Sequence, residues 1–309
     1  MENIVIIGSG PAAYNAALYA MDKEPLLFEG GYIGNNGPGG QLTTTTSVDN
    51  YPGFPDGVEG PVLTDLMKDH AVSRGLRVVK ETVSDLRKEG ECFVVVSEKG
   101  ERRARAVIVA TGASARRLFV PGTGDGEFWQ RGVSSCAVCD GFAYTNKITC
   151  VIGGGDAAME EALYLSGIAK KVYIIHRRNE FRARNDMVEK ARETVNIEMV
   201  TPYVLESALG TSKVERITIR NVETGEMKTI PMDGVFFGIG HDPNTSFLKN
   251  TKVEMDLNGY IVVRDEVYTN IPGLFAAGDV CDKKYRQAVT AAASGAISGM
   301  KAVEFLCKE

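Results

Sequence analysis

Two cysteines separated by two residues stand in the stretch SSCAVCDG, residues 134–141. Close spacing of this kind makes Cys136 and Cys139 either metal-binding or redox-active. A tetrahedral zinc site needs two further ligands, yet Cys92, Cys150, Cys281 and Cys307 are scattered and the only histidines are His70, His176 and His241. The pattern favours redox chemistry, and no metal is expected. Six cysteines in 309 residues are too few for a disulfide scaffold. The four single ones read as small buried apolar residues, Cys281 least securely because it follows the motif AAGDV.

About twelve residues beyond the cysteine pair comes VIGGGDAAMEEA, a glycine-rich turn running into a helical pattern. The same plan occurs earlier. IVIIGSGPAAYNAALYA at 4–20 and TCVIGGGDAAMEEALYL at 149–165 each read as apolar strand, G-x-G-x-x-A, then a helix with small residues on its inner side. Gly8 or Gly153 permits the tight turn, Gly10 or Gly155 lets the backbone approach a pyrophosphate, and Ala13 or Ala158 lets helix and strand pack closely. Helix N-terminal N–H groups then face the phosphates. Two turns that merely favour glycine would look alike in isolation, but the required context occurs twice and implies two dinucleotide-binding units.

The end of the next strand separates the two units. PLLFEG finishes at Glu29, about twenty residues beyond the first glycines, where a carboxylate can accept hydrogen bonds from ribose hydroxyls and would repel a 2′-phosphate. KKVYIIHRR finishes at His176, Arg177 and Arg178, with Arg182 following; guanidinium forks suit phosphate oxygens and point to NADPH. A solvated basic surface is the plainer alternative, weakened by the preceding glycines. One unit thus suits FAD or NAD and the other NADPH, with a cysteine pair between them in sequence. A relay of nicotinamide, flavin and disulfide accounts for all three.

The elements that must position these residues are also legible. NIVIIG, PLLFEG, RARAVIVATG, KITCVIGGG, KKVYIIHRR and DGVFFGIG read as strands alternating with helical stretches such as 12–22 and 157–167, an α/β arrangement with parallel strands. With 44% hydrophobic and 24% charged residues, the chain has the composition of a soluble globular protein of two domains. A net charge of −5 offers no overall basic field for nucleic acid. No run of about 18 apolar residues could span a membrane, and Met1 leads almost directly into a strand, so a cytoplasmic chain without a targeting segment is expected.

The motifs GSGPAA, GGQLTTTT, DNYPGFPDG, VIVATGASARRL, CAVCDG, GGGDAAMEEALYL, HRRNEFRA, GIGHDPNT, LFAAGDV and YRQAVTAAASG follow one another along nearly the whole chain. In this order they closely resemble the low-molecular-weight thioredoxin reductases, and the joint presence of C-x-x-C-D and H-R-R-x-x-x-R makes the resemblance specific. It implies two Rossmann-like domains, the second inserted in the first: residues 1–113 and 243–309 binding FAD, and residues 114–242 binding NADPH and carrying Cys136 and Cys139. It further implies a homodimer that reduces thioredoxin.

For FAD the resemblance selects Ser9, Gly10, Pro11 and Ala12 beside Gly8, then Glu29, Gly30, Gln41, Asn50, Val83, Ala110, Thr111, Gly112, Asp279, Arg286, Gln287 and Ala288. Asp279 would meet a ribityl hydroxyl, and RQA opens a small-residue helix whose N–H groups can face negative charge. For NADPH it selects Gly154, Gly155, Asp156, Ala157 and Glu160 with the His176, Arg177, Arg178 and Arg182 set. The family pattern makes Cys139 the flavin-proximal thiol and Cys136 the one that attacks thioredoxin. Asp140, directly after the pair, reads as a general acid, with DG as a simple tight turn the alternative. A swing about crossings near 114–117 and 240–244 would let the disulfide alternate between flavin and solvent.

This sequence departs from the commoner family pattern in GYIGNNGPGG at 31–40 and after the glycine of CDGFAYTNK, positions that could set the preference for a particular thioredoxin. A glutathione or dihydrolipoamide reductase would carry C-x-x-x-x-C in its first domain and an added interface domain. An alkyl hydroperoxide reductase flavoprotein would carry an N-terminal extension. A non-enzymatic redox sensor is the alternative of a different class, which steady turnover of a disulfide substrate would exclude.

Overall fold

The computed structural model describes residues 1–32, 37–45 and 47–308. Residues 33–36 of GYIGNNGPGG and Thr46 of GGQLTTTT lie outside the described residues. The chain forms two compact units, Met1–Ser114 with Asp242–Glu309, and Ala115–His241.

In the first unit Glu2–Ile7 is central. It pairs in parallel with Leu26–Phe28 on one side and Gly100–Val109 on the other; Arg77–Val79 and Leu274–Ala276 extend the parallel layer. A strand buried on both faces should be apolar throughout rather than alternating, and Ile4, Val5 and Ile6 are all fully buried. Ile4 and Ile6 face the helices Pro11–Tyr19 and Ala288–Cys307, while Val5 and Ile7 face a layer that includes the antiparallel strands Val83–Glu89 and Cys92–Ser97. Each such side chain contributes about 1.5–3 kcal/mol through burial, so a polar residue in this run would break the unit's centre.

The second unit repeats the scheme. Its parallel sheet runs Ile197–Val200, Lys171–Ile175, Ile148–Ile152, Gly234–Phe237, Val133–Ser134. Val151, Val172, Ile174 and Phe236 meet the helices Asp156–Ser166 and Asn185–Glu193. Cys150, Ile152, Val235 and Phe237 meet the three-stranded antiparallel sheet Tyr203–Gly210, Val214–Asn221, Met227–Pro231.

All six predicted strands form. The two predicted helices are Pro11–Tyr19 and Asp156–Ser166; the first stops early because the chain tightens into a 3-10 turn at Met21–Lys23. The expectation of four buried single cysteines needs correction. Cys150 is buried within its strand, but Cys92 and Cys281 are half-buried and Cys307 is exposed. Cys307 is the last residue of an amphipathic terminal helix and Cys92 opens a strand after a hairpin turn, both positions where the layers end.

Each unit ties its two chain crossings together. In the first, the Thr111 hydroxyl donates to the Asn244 carbonyl at 2.8 Å, the Asn244 amide returns a bond to the Thr111 carbonyl at 2.8 Å, and the Ser114 hydroxyl donates to Asn244 Oδ1 at 3.2 Å. In the second, the Arg116 N–H donates to the Gly240 carbonyl at 2.9 Å.

Candidate functional site

Both glycine loops solve the same steric problem. A Cβ at Gly8 would stand 2.1 Å from the Ala110 carbonyl oxygen, and one at Gly153 would stand 2.3 Å from the Gly238 carbonyl oxygen. In each unit the first glycine is therefore pressed against the end of a neighbouring strand, where only glycine fits. The third position is different: a Cβ at Gly155 meets nothing within 4 Å, and one at Gly10 meets only the Gly39 carbonyl at 3.7 Å. Gly10 and Gly155 hold nearly the same extended backbone at the N-caps of their helices, and neither helix has a side-chain cap. Uncapped first-turn N–H groups beside open space form a cradle that fits a pyrophosphate.

In the first unit the loop is braced from several directions. Ser9 is buried and its hydroxyl accepts from the Gly39 N–H at 3.0 Å, drawing in the turn Gly40–Thr44 that carries Gln41. A Cβ at Gly278 would stand 2.9 Å from Ala12 Cβ, so the turn bearing Asp279 closes on the start of the first helix. Burial, with the neighbouring Asp282 adding to it, pushes the Asp279 carboxyl up to about 7, while Arg286 works against the shift. The Asp282 carboxylate accepts N–H bonds from Lys284, Tyr285 and Arg286, which fixes Arg286 in a left-handed conformation at φ 49°. Gln287 then caps Ala288–Cys307 through a reciprocal box with Thr290, and the Asn50 amide donates to Gln287 Oε1 at 3.2 Å.

Glu29 ends its strand almost wholly buried. Its Oε1 accepts from the Tyr14 hydroxyl at 3.4 Å and pairs with the Lys68 ammonium. Val83 packs beside Leu26 and Phe28 of the strand that delivers Glu29. Gly30 follows at φ 77°, with nothing among the described residues within 4 Å of a Cβ built on it. Ala110, Thr111 and Gly112 close the adjacent strand. Of the expected residues of the first unit, Ala110 and Thr111 abut Gly8, and the turns that carry Gln41 and Asp279 abut Ser9 and Ala12, while Asn50 is bonded to Gln287 and Val83 lies in the core behind the strand.

In the second unit the arginine loop folds back onto the glycines. The Arg182 and Ala183 N–H groups donate to the Gly154 carbonyl at 2.7 and 3.1 Å, and the Arg184 N–H donates to Asp156 Oδ1 at 2.8 Å. His176 is buried over Gly154, stacks on Phe181 at 5.3 Å between centroids, and leaves Nε2 without a partner among the described residues. Burial holds its imidazole below the ordinary value against a hydrogen bond with the Glu180 backbone, and the charges of Arg177, Arg178 and Arg182 push the same way as burial. Those three arginines are exposed, as is Glu160 one turn into the helix. Three exposed guanidinium groups, with no ion-pair partner among the described residues, follow the strand beside the phosphate cradle and fit a coenzyme with an extra phosphate.

Cys136 and Cys139 form a disulfide, with Cα atoms 5.3 Å apart. Cys136 is the N-cap of the short helix Ala137–Asp140, and its Sγ accepts from the Cys139 N–H at 3.2 Å. Both sulfurs belong to half-buried residues. The following Gly141 lies against Tyr164, Leu165 and Ile168, so the redox segment is seated on the helix that begins at the second glycine loop. The buried Ser134 hydroxyl donates to Asp140 Oδ2 and accepts from the Cys136 N–H at 3.0 Å. Tyr144, beside Asp140 and Asp233, is pushed up to about 12, mainly by burial.

Sequence reasoning missed Ser134, Tyr14 and Lys68. Ser134 carries a usable signal, since a hydroxyl two residues before a helix N-cap readily bonds the backbone ahead of it. Nothing in the local sequence marks Lys68, which reaches Glu29 from a different helix.

Residues 2–295 match the family described as pyridine nucleotide-disulphide oxidoreductase. Thioredoxin reductase of Chlamydia pneumoniae is 46% identical over 99% of this chain and 99% of its own. Among solved structures, thioredoxin reductase from Streptococcus pyogenes superposes with TM-score 0.92 at 37% identity, covering 100% of this chain and 99% of that one. Thioredoxin reductase from Giardia duodenalis gives TM-score 0.93 at 39% identity over 99% and 98%. With a disulfide seated beside one of two dinucleotide loops, and likeness over its whole length, the chain belongs to the pyridine nucleotide-disulphide oxidoreductase family, among the low-molecular-weight thioredoxin reductases.

Proposed function

We propose that this enzyme passes electrons from NADPH through FAD to the Cys136–Cys139 disulfide and from there to oxidised thioredoxin, working as a homodimer in the cytoplasm. The first unit holds FAD and the second holds NADPH. One observation carries this reading: a disulfide and an arginine-flanked dinucleotide loop are built on the same helix of one unit, while the other unit has a carboxylate where the arginines stand.

When bound, FAD supplies the two-electron link between NADPH and the disulfide. Gly10 and the first turn of Pro11–Tyr19 would hold its pyrophosphate, Glu29 would accept from its ribose, and Asp279 and Arg286–Ala288 would hold the rest of it. Gly154 to Ala157 hold the NADPH pyrophosphate, with Arg177, Arg178 and Arg182 on the 2′-phosphate.

Reduction breaks the Sγ–Sγ bond with two electrons and leaves a dithiol that needs two protons. Asp140, adjacent to Cys139 and oriented by Ser134, delivers one of them as general acid. The Cys136 thiolate then attacks the thioredoxin disulfide, forming a mixed disulfide and releasing one substrate thiolate; Asp140 takes its proton back from the Cys139 thiol and passes it to that leaving sulfur, so Cys139 becomes a thiolate. The Cys139 thiolate attacks Cys136 Sγ, re-forms the ring and releases the second substrate sulfur as a thiolate, which takes its proton from solvent. The Cys139 N–H bond to Cys136 Sγ supports this order, because an amide donor stabilises negative charge on the attacking sulfur.

The test is spectroscopic. The purified protein should be yellow, bleach anaerobically with NADPH and recover its flavin spectrum when oxidised thioredoxin is added. A colourless protein that cannot be loaded with FAD would sink the proposal.

A further inference from the structure

Glu29 is deeply buried, and it does not stand alone. The Lys68 ammonium, from helix Gly60–Ser73, and the Tyr14 hydroxyl, from helix Pro11–Tyr19, both fall on the same oxygen, Oε1. Beside them lies a cavity of about 200 Å³ whose lining includes Tyr14, Glu29, Gly30, Lys68 and Lys80. Two donors on one oxygen fix the carboxylate plane and leave Oε2 to a ligand. We infer that Lys68 is a positioning residue for flavin binding: with Tyr14 it locks Glu29 so that Oε2 faces the adenosine ribose of FAD. The inference deepens the reading of the first unit as the FAD site and rests on it.

The chemistry makes the lysine necessary. A carboxylate this deeply buried is stable only when paired and hydrogen-bonded, and an unfixed one would spend the ribose contact on ordering its own side chain. Burial and the neighbouring Glu29 also raise the Tyr14 hydroxyl far above its ordinary range, so it serves as a donor throughout the physiological range. Lys68 is itself only partly covered, with 29% of its side chain exposed, so its replacement removes the charge without opening a core cavity.

Release of FAD from the holoenzyme, followed by recovery of free-flavin fluorescence, tests the idea. Lys68→Met should speed release by roughly tenfold, the scale of one charge-assisted contact, and Lys68→Arg should restore most of the retention. Tyr14→Phe should give a smaller change in the same direction, and keeps the test open if Lys68→Met folds poorly. In a Glu29→Gln background Lys68→Met should add less than about twofold, because the lysine acts through that carboxylate. Equal acceleration by Lys68→Met in both backgrounds, or no effect of Glu29→Gln on release, overturns this inference alone. A wild-type chain that takes up no FAD overturns both it and the reading beneath it.

Discussion

Ser134 donates its hydroxyl hydrogen to Asp140 while accepting the backbone N–H of Cys136, so one buried side chain holds both the carboxylate and the first cysteine of the redox ring. The arrangement ties the half-buried Asp140, at the end of a four-residue helix, to the backbone of the first cysteine. It also explains why a serine opens the motif.

Asp140→Asn keeps the shape and removes the titrating proton. Turnover with thioredoxin should fall well over tenfold, within the ordinary range for loss of a general acid, while FAD content and NADPH affinity hold. Ser134→Ala should lower turnover less, by roughly threefold to tenfold, because it loosens the same carboxylate without removing it. Steady-state kinetics across pH decide the matter: unchanged turnover of Asp140→Asn rejects the acid role.

On the proposed function, the exposed arginines behind the second glycine loop set the coenzyme choice. Replacing Arg177 and Arg178 by neutral residues should weaken NADPH selectively, each charge-assisted contact being worth roughly 1.5 to 3 kcal/mol, and leave NADH nearly unchanged. Equal losses for both coenzymes would make these residues general surface charge.

Asp279 gives a pH signature in the flavin-free protein. Its folded-state value of about 7 lies above the ordinary 3.8, because burial favours the protonated form. The folded state therefore keeps a proton that the unfolded chain releases as pH rises through 3.8, and stability contributed by this group declines from there until pH passes about 7. Below 3.8 and above 7 the contribution is level. Thermal unfolding of flavin-free protein between those limits should show the decline, and Asp279→Asn should flatten it. An identical slope in the variant would assign the decline to other groups.

The parts of the site that were legible are those where geometry forces a residue type. Gly8 and Gly153 are pressed against strand-end carbonyls, which no side chain survives, so each strand and helix announces its loop. Cys136 and Cys139 are legible because they are neighbours in sequence, so their bond closes a small local ring. Lys68 was invisible because its bond to Glu29 spans 39 residues and depends on where a separate helix lies. The exposure of Cys307 was misread for a related reason: residue type predicts average burial, while a helix end is set by the layer it leaves.

The two cysteines stand in different surroundings. The Cys139 N–H donates to Cys136 Sγ, and Cys136 alone occupies the N-cap, so negative charge on Cys136 is the better stabilised of the two. On the proposed mechanism Cys136 is the thiol that attacks thioredoxin, and Cys139 resolves the mixed disulfide. In Cys139→Ser the resolving thiol is gone, so Cys136 should trap oxidised thioredoxin in a stable covalent complex, visible on non-reducing gels and released by dithiothreitol. Cys136→Ser should trap far less. That variant keeps Cys139, the thiol assigned to the flavin side, and should develop a long-wavelength charge-transfer band at alkaline pH that Cys139→Ser lacks. Both variants should lose thioredoxin turnover while NADPH still bleaches the flavin. Trapping by Cys136→Ser in preference, together with the band in Cys139→Ser, would reverse the two roles. Normal turnover in either variant would mean that electrons reach thioredoxin without passing through this pair.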